Sequence, residues 1–169
     1  DAQESRGLGD VYKRQVWAFT TGISSDEGEG IQVLRDVSAL GSDGEKLDSS
    51  LDDLRYAQRN GTPLYDSILL AYEAMSERAE PGRINAIVVL SDGEDTDSST
   101  SLDSLIAKIG KSTKEGGDDA PVRIFPIAYG EGADTSALQR IAEVTGGQLF
   151  DASDAERIDL VFASVINNF

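Results

Sequence analysis

A continuous apolar run, Ile84 to Leu90, limits the folds open to this chain more than any other stretch. The run is rich in Ile and Val and does not alternate with polar residues, which is typical of a parallel strand covered on both faces. Residues Val122 to Tyr129 predict a further buried strand. We therefore expect Ile84 to Leu90 at the centre of a sheet.

Segments with helical periodicity lie before, between and after these two strands in the chain. Apolar residues recur at helical spacing in the segments 46–60, 63–80, 102–109, 134–145 and 158–166. Thr62 is expected to cap the second of these helices, with Pro63 at its first position. Thr100 and Asp103 have the spacing of a capping box before the third. Shorter strands are predicted at 16–22, 32–38 and 148–150, and the first two lie close enough in the chain to form an antiparallel pair.

The second half of the chain therefore alternates between helix and strand. This order predicts the α/β class: a doubly wound, mostly parallel sheet with helices on both faces. Residues 16–169 are expected to form one domain. The preceding segment, "DAQESRGLGDVYKRQ", has no period of two or 3.6 and is predicted to be a non-native or disordered leader.

Composition removes several classes of function. The 169 residues include 31 acidic and 15 basic side chains, and the formal net charge of -16 disfavours nucleic acid and anionic lipid as partners. The absence of Cys and His excludes thiol nucleophiles and zinc sites built on those residues. No apolar run approaches the roughly 20 residues that span a bilayer, so membrane insertion of this segment is not expected.

An acid- and hydroxyl-rich stretch, "SDGEDTDSST", follows the run that ends at Leu90. Ligands of open α/β sheets bind outside the carboxyl ends of the strands, which is where this stretch belongs. A hydroxyl and a carboxylate held close together are ligands that Mg²⁺ or Mn²⁺ accepts. The structural alternative is that Thr62 only caps a helix and that Ser, Asp and Gly are ordinary loop residues. Spacing alone favours this structural alternative.

Two longer motifs carry a resemblance to a known family. The segment "GTPLYDSILLAYEAM" (61–75), followed by "IVVLSDGED" (87–95), resembles the von Willebrand factor type A domain family. Its members commonly have a G-T-P-L-Y-D-A-like helix start and a strand that ends in T/S-D-G. The segment 122–156 is similar to the family's next strand, helix and last strand, and "IAEVTGGQLF" matches its G-G-x-x-F ending. The resemblance extends from about Val16 to the end of the chain.

The resemblance implies a metal-ion-dependent adhesion site at the carboxyl edge of the sheet. Thr62 and Asp92 match two of the family's metal ligands, and the implied ion is Mg²⁺ or Mn²⁺. Ser91 and Gly93 flank Asp92 and are expected to shape the partner-binding loop. In the intact site the ion keeps one coordination position for an Asp or Glu carboxylate of a protein partner.

The chain departs from the family pattern at its first strand. The strand that begins at Val16 corresponds to the family's second strand, so the first strand and its Asp-x-Ser-x-Ser loop are missing. Without the first strand, the strand at 84–90 loses a neighbour, and weak ion binding or none is expected in this chain. Residues 97–101 satisfy Asp-x-Ser-x-Ser by letter, but they follow the wrong strand and lead into a capped helix.

These observations predict a protein-binding module, used for adhesion or interaction, and not an enzyme. Resemblance further implies a larger bacterial protein that is secreted or belongs to the cell envelope. The alternative is a Mg²⁺-dependent phosphatase or phosphotransferase in which Asp92 is the nucleophile. That chemistry usually has D-x-D directly after the strand, but position 94 is Glu, and Asp95-Thr96-Asp97 comes too late.

Overall fold

The computed structural model describes residues 13–26, 28–39, 61–91, 94–115, 121–130 and 134–152. The chain divides into two compact units, residues 1–61 and residues 62–169. The predicted helices at 46–60 and 158–166 lie outside the described residues. So do Asp92 and Gly93.

In the first unit, β1 (Lys13–Ser25) pairs antiparallel with β2 (Gly28–Ala39). The predicted antiparallel pairing is confirmed. The strands are longer than predicted, since they include residues 23–25 and 28–31 of the Gly- and Glu-rich segment that separates the two predicted strands. Ser25 pairs with Gly28. Residues 13–15 belong to β1, so regular structure begins before the predicted boundary at residue 16.

The second unit contains the parallel sheet and its helices. In chain order the elements are α1 (Leu64–Arg78), β3 (Asn85–Ser91), α2 (Leu102–Glu115), β4 (Val122–Tyr129), α3 (Thr135–Thr145) and β5 (Phe150–Ala152). The strand order is β3-β4-β5, and both pairings are parallel. The α/β class and the parallel sheet predicted from the sequence are confirmed. The last strand begins at Phe150, two residues after the predicted start.

The core of this unit lies between the sheet and its helices. Helix α1 packs against β3 and β4, α3 packs against β4, and α2 packs against α1 and α3. Fully buried aliphatic side chains at this core are Leu64, Ile68, Leu105, Ile109, Ile124, Leu138 and Ile141. Those on the helices are periodic apolar positions of the sequence, and Ile124 belongs to the apolar run of β4. Their removal from water is the main favourable contribution to folding.

The end of α3 is fixed closely against β4. Gly146 ends the helix in the left-handed conformation, with φ 70°, and its N–H and that of Gly147 donate back to the last turn. A Cβ at Gly147 would lie 1.9 Å from the carbonyl oxygen of Ile124, so a residue with a side chain does not fit there. The two glycines therefore stop the helix and allow it to approach the sheet.

Strand β3 is less covered than its apolar sequence predicts. Its buried and exposed residues alternate, and Val88 and Leu90 are 40% and 42% exposed, respectively. Within the described residues β3 pairs with β4 alone, so it is an edge strand of the three-stranded sheet. An edge strand with one open face exposes every second side chain. None of the helices in the described ranges is long and apolar enough to cross a membrane.

Candidate functional site

Helix α1 begins without a cap of its own. Its N-cap residue is Pro63, with φ -78° and ψ 59°, and no side chain at that position accepts a hydrogen bond from the helix. The prediction that Thr62 caps this helix with Pro63 at the first helical position is therefore wrong by one residue, since the helix starts at Leu64. The first N–H groups of a helix have no partner within it and need acceptors from elsewhere.

The acidic stretch after β3 supplies those acceptors. We call its described part, residues 94–100, the acidic loop. The Tyr65 N–H donates to a carboxylate oxygen of Asp95 at 3.1 Å, across a separation of 30 residues. The Asp66 N–H donates to Ser98 Oγ at 3.1 Å, and that hydroxyl donates in turn to the same Asp95 oxygen. The acidic loop thus caps α1, and the negative charge of Asp95 lies at the positive end of the helix dipole.

Thr62 is joined to the acidic loop through its backbone. Its N–H donates to Thr96 Oγ1 at 2.9 Å, and its carbonyl accepts from the Thr96 N–H at 3.1 Å. Thr62 itself is half-buried. No hydrogen bond joins the Thr62 hydroxyl to any other residue that the structure describes.

Asp66 makes the opposite connection, from the helix to the loop. Its Oδ2 accepts from the Ser99 N–H at 2.7 Å and from Ser99 Oγ at 3.0 Å. Its Oδ1 accepts from the Thr100 N–H at 3.0 Å. Burial raises the pKa of Asp66, but the hydrogen bonds from Thr100 and Ser99 outweigh it and bring the pKa below its ordinary value. Asp66 is therefore ionised at neutral pH.

Residues 97–101, which satisfy Asp-x-Ser-x-Ser by letter, form hydrogen bonds at the starts of α1 and α2. Ser98 and Ser99 bind the start of α1, and Ser101 accepts from the Ser104 N–H at 3.3 Å as the cap of α2. The interpretation of this segment as a lead into a capped helix is confirmed. The capping residue is Ser101, one position after the predicted Thr100.

The remaining predicted site residues follow β3 directly. Ser91 is the last residue of the strand and is 5% exposed. Asp92 and Gly93 lie outside the described residues, whereas Thr62 lies within them. The metal-ligand roles of Thr62 and Asp92 both stay predictions. Thr96, which holds Thr62, follows Asp92 by four positions.

Negative charges lie near the hydroxyl of Tyr65, a residue in the first turn of α1. Burial raises the pKa of the Tyr65 hydroxyl, and the nearby charges of Asp95, Asp134 and Glu94 raise it further, against a smaller opposing effect of Arg140. Asp134 is the N-cap residue of α3, directly after β4 and its connection. Acidic residues that follow β3 and β4, two neighbouring strands, therefore both place negative charge near the Tyr65 side chain at the start of α1. In the described ranges no three acidic side chains converge closely enough to hold an ion by themselves.

Sequence reasoning missed the residues that make these contacts, namely Asp66, Asp95, Thr96 and Ser98. Three of them belong to an acidic stretch that resembles an ordinary solvated loop, and their partners are at least 30 residues away. No local signal identified them, because Thr62 directly before Pro63 is itself a preferred type of N-cap residue and predicts a local cap.

The geometry defines an α/β domain whose parallel strands end at an acid- and hydroxyl-rich edge, the edge at which such domains bind ligands. The family model of the von Willebrand factor type A domain matches residues 25–163, well over half of the chain. The chain belongs to this family, whose domains generally serve as protein-interaction modules. Among curated protein sequences none matches significantly.

Solved structures agree with this assignment. A von Willebrand factor type A structure from Catenulispora acidiphila is 19% identical, with a TM-score of 0.61, over 90% of this chain and 33% of that chain. Proximal thread matrix protein 1 from the mussel byssus is 14% identical, with a TM-score of 0.65, over 94% and 37% respectively. The ArnB paralog VWA2 from Sulfolobus acidocaldarius is 17% identical, with a TM-score of 0.53, over 92% and 36%. At these identities the likeness establishes the fold, and the chain spans about a third of the length of each of these proteins.

Proposed function

We propose that this domain binds a protein partner through a divalent cation held at the carboxyl edge of its parallel sheet. The observation that supports the proposal is the pair of hydrogen bonds between Thr62 and Thr96. They hold the start of α1 against the acidic loop, which follows Asp92 in the sequence. We propose that the Thr62 hydroxyl and the Asp92 carboxylate bind one ion.

The donor chemistry fits Mg²⁺ or Mn²⁺. Both ions take oxygen ligands and retain several waters, so a site with Thr62 and Asp92 as its protein ligands is chemically reasonable but weak. The ion would supply a positive charge for an Asp or Glu carboxylate of the partner. Ser91 and Gly93 flank Asp92 and would shape the surface that meets this partner. The negative field around Tyr65 also favours a cation at this edge.

We propose binding without turnover, because domains of this family generally are interaction modules. A place in a larger bacterial protein, secreted or in the cell envelope, is proposed on the resemblance of the motifs at 61–75 and 87–95 alone. An adhesion role belongs to the same proposal. Turnover of a simple phosphate ester that is lost in Asp92→Asn would contradict it and favour a phosphatase.

A paramagnetic ion tests the site even where binding is weak. We expect Mn²⁺, titrated into the full ¹⁵N-labelled chain at 0.1 M salt or above, to broaden the amide signals of Thr62 and Thr96 before those of other acidic regions. Thr62→Ala and Asp92→Ala should each remove this selectivity, and Thr62→Ser should retain it because the hydroxyl remains.

Asp97→Ala is the matched control for charge. Asp97 is an exposed carboxylate of the same loop, and its loss should leave the selective broadening in place. Broadening that is spread evenly over the acidic surface, or that follows Asp97 and not Thr62 and Asp92, would refute the proposed site.

A further inference from the structure

We propose that Asp66 is a positioning residue, whose carboxylate holds the acidic loop in a fixed register against Thr62. Its importance for the ion rests on the function proposed above. Its effect on the register between Thr62 and Thr96 does not, and can be measured without any metal.

The first argument is the mutual dependence of the two segments. The N–H groups of Tyr65 and Asp66 find their acceptors on Asp95 and Ser98. The loop's own N–H groups at Ser99 and Thr100 find their acceptor on Asp66. Each segment provides acceptors for N–H groups of the other. These N–H groups are therefore hydrogen-bonded only when the acidic loop lies against the start of α1.

The second argument is the geometry of the Asp66 carboxylate. Both of its oxygens accept hydrogen bonds, and they bind consecutive residues of the loop at 2.7 to 3.0 Å. Hydrogen bonds to an ionised carboxylate are stronger than those between neutral groups. Two oxygens bound to two adjacent backbone groups fix a position along the loop, whereas a single hydrogen bond would allow it to slide or rotate.

A simpler role for Asp66 is available and gives a different expectation. An acidic residue in the first turn of α1 interacts favourably with the helix dipole wherever its oxygens point. Glutamate would serve that role equally well. It would not serve the positioning role, because its additional methylene moves both oxygens away from the Ser99 and Thr100 N–H groups.

Amide hydrogen exchange of the metal-free chain separates the two roles. For Asp66→Ala we expect the Thr62 and Thr96 amides to exchange roughly tenfold faster, given how much hydrogen bonds to a charged group contribute. Asp66→Glu should resemble Asp66→Ala. Asp66→Asn, which keeps one acceptor oxygen in place, should give a smaller acceleration. Wild-type exchange in Asp66→Glu, or unchanged exchange in Asp66→Ala, would overturn the proposal.

Two control variants exclude indirect effects. Glu73→Ala removes an exposed carboxylate from the same helix and should leave the Thr62 and Thr96 amides unchanged. Ile141→Val removes one methyl group from the core and lowers global stability at a residue of α3, which belongs neither to α1 nor to the acidic loop. Its Thr62 and Thr96 amides should accelerate no more than the Leu138 amide, which reports on α3. Equal acceleration of all three amides in Asp66→Ala would show a merely global effect and overturn the proposal.

The Mn²⁺ titration then connects the register to the ion. Selective broadening at Thr62 should need roughly ten times more Mn²⁺ in Asp66→Ala than in the wild type or in Ile141→Val, the factor that corresponds to about 1.4 kcal/mol. Faster exchange with unchanged Mn²⁺ affinity would overturn the role of Asp66 at the ion site. If the wild-type chain shows no selective broadening, the proposed function fails, while the exchange rates still decide the positioning role.

Discussion

Helices α1 and α3 both begin beside the acidic edge, but they obtain their caps in different ways. The cap of α3 is local: Asp134 accepts from the N–H groups of Ser136 and Ala137, both at 3.1 Å, and from Ser136 Oγ at 2.7 Å. The cap of α1 comes from Asp95 and Ser98, in a loop that follows a different strand. A local cap stabilises one helix, whereas a distant cap also joins that helix to the loop that supplies it.

This difference has a consequence for the site. A local cap forms whenever its helix forms, so it does not depend on the position of any other loop. The cap of α1 forms only when the acidic loop is docked, and the same docking holds Thr62 against Thr96. Removing the cap of α1 should therefore weaken the hydrogen bonds between Thr62 and Thr96, while removing the cap of α3 should leave them unchanged.

The largest expected effect on stability concerns the C-terminal end of α3, where the chain lies closely against β4. In Gly147→Ala the new Cβ would lie 1.9 Å from the Ile124 carbonyl oxygen, so helix or strand must move. We expect a loss of about 3 kcal/mol in the free energy of unfolding, measured by urea denaturation. Gly82→Ala is the control, because Gly82 has φ +74° but open space around its Cβ position. It should cost only about 1 kcal/mol, and equal losses would contradict the steric account.

The next largest effect concerns the distant cap of α1. Asp95→Ala removes the charged acceptor of the Tyr65 N–H and the partner of the Ser98 hydroxyl. We expect a loss of about 2 kcal/mol in the free energy of unfolding, since Asp95 is half-buried and the bonds are charge-assisted. Asp97→Ala, in the exposed part of the same loop, should change it by less than about 0.5 kcal/mol. Similar losses in both variants would mean that general loop charge is responsible.

A smaller effect is expected at the local cap of α3. Asp134→Ala should reduce the free energy of unfolding by about 1 kcal/mol, the typical contribution of an N-cap residue. Asp134→Ser should recover most of it, since serine is also a good cap. If Asp134→Ala accelerates amide exchange at Thr62 as much as in the first turn of α3, the distinction between the two caps is wrong.

The smallest effect is a dependence on pH. The pKa of Asp134 is lowered by its hydrogen bonds with Ser136 and Ala137, and that of Asp66 lies below its ordinary value of 3.8 for the reasons given above. A carboxylate with a lowered pKa in the folded state stabilises the fold above the unfolded pKa, and the stabilisation disappears as pH falls through the folded pKa. The stability difference between wild type and Asp66→Asn should therefore be larger at pH 7 than below pH 3. A difference that does not shrink on acidification would contradict the assignment of an ionised Asp66.

Much of the fold could be predicted from local patterns. The apolar runs at β3 and β4 identify parallel strands, and the periodic residues that mark the helices are those that lie in the core. The predicted bounds were wrong where conformation depends on distant contacts. The start of α1 is displaced by one residue, and β1 and β2 continue through a segment whose composition is typical of a loop.

The candidate site divides in the same way. Motif resemblance selected Thr62, and the structure places it against the loop after β3. Asp66 and Asp95 could not be recognised, because an isolated acidic residue in a sequence does not show which amide it will meet. The roles of Thr62 and Asp92 as metal ligands, and of Ser91 and Gly93 in partner binding, remain predictions.

The most direct test of the distant cap is a comparison of amide exchange at the two helix starts in Asp95→Ala and Asp134→Ala. The structure predicts that Asp95→Ala accelerates the amides of both Tyr65 and Thr62, because cap and register are lost together. It predicts that Asp134→Ala accelerates the Ser136 and Ala137 amides and leaves Thr62 unchanged. Acceleration confined to Tyr65 in the first variant, with Thr62 still protected, would contradict the claim that the cap of α1 and the position of Thr62 depend on the same loop.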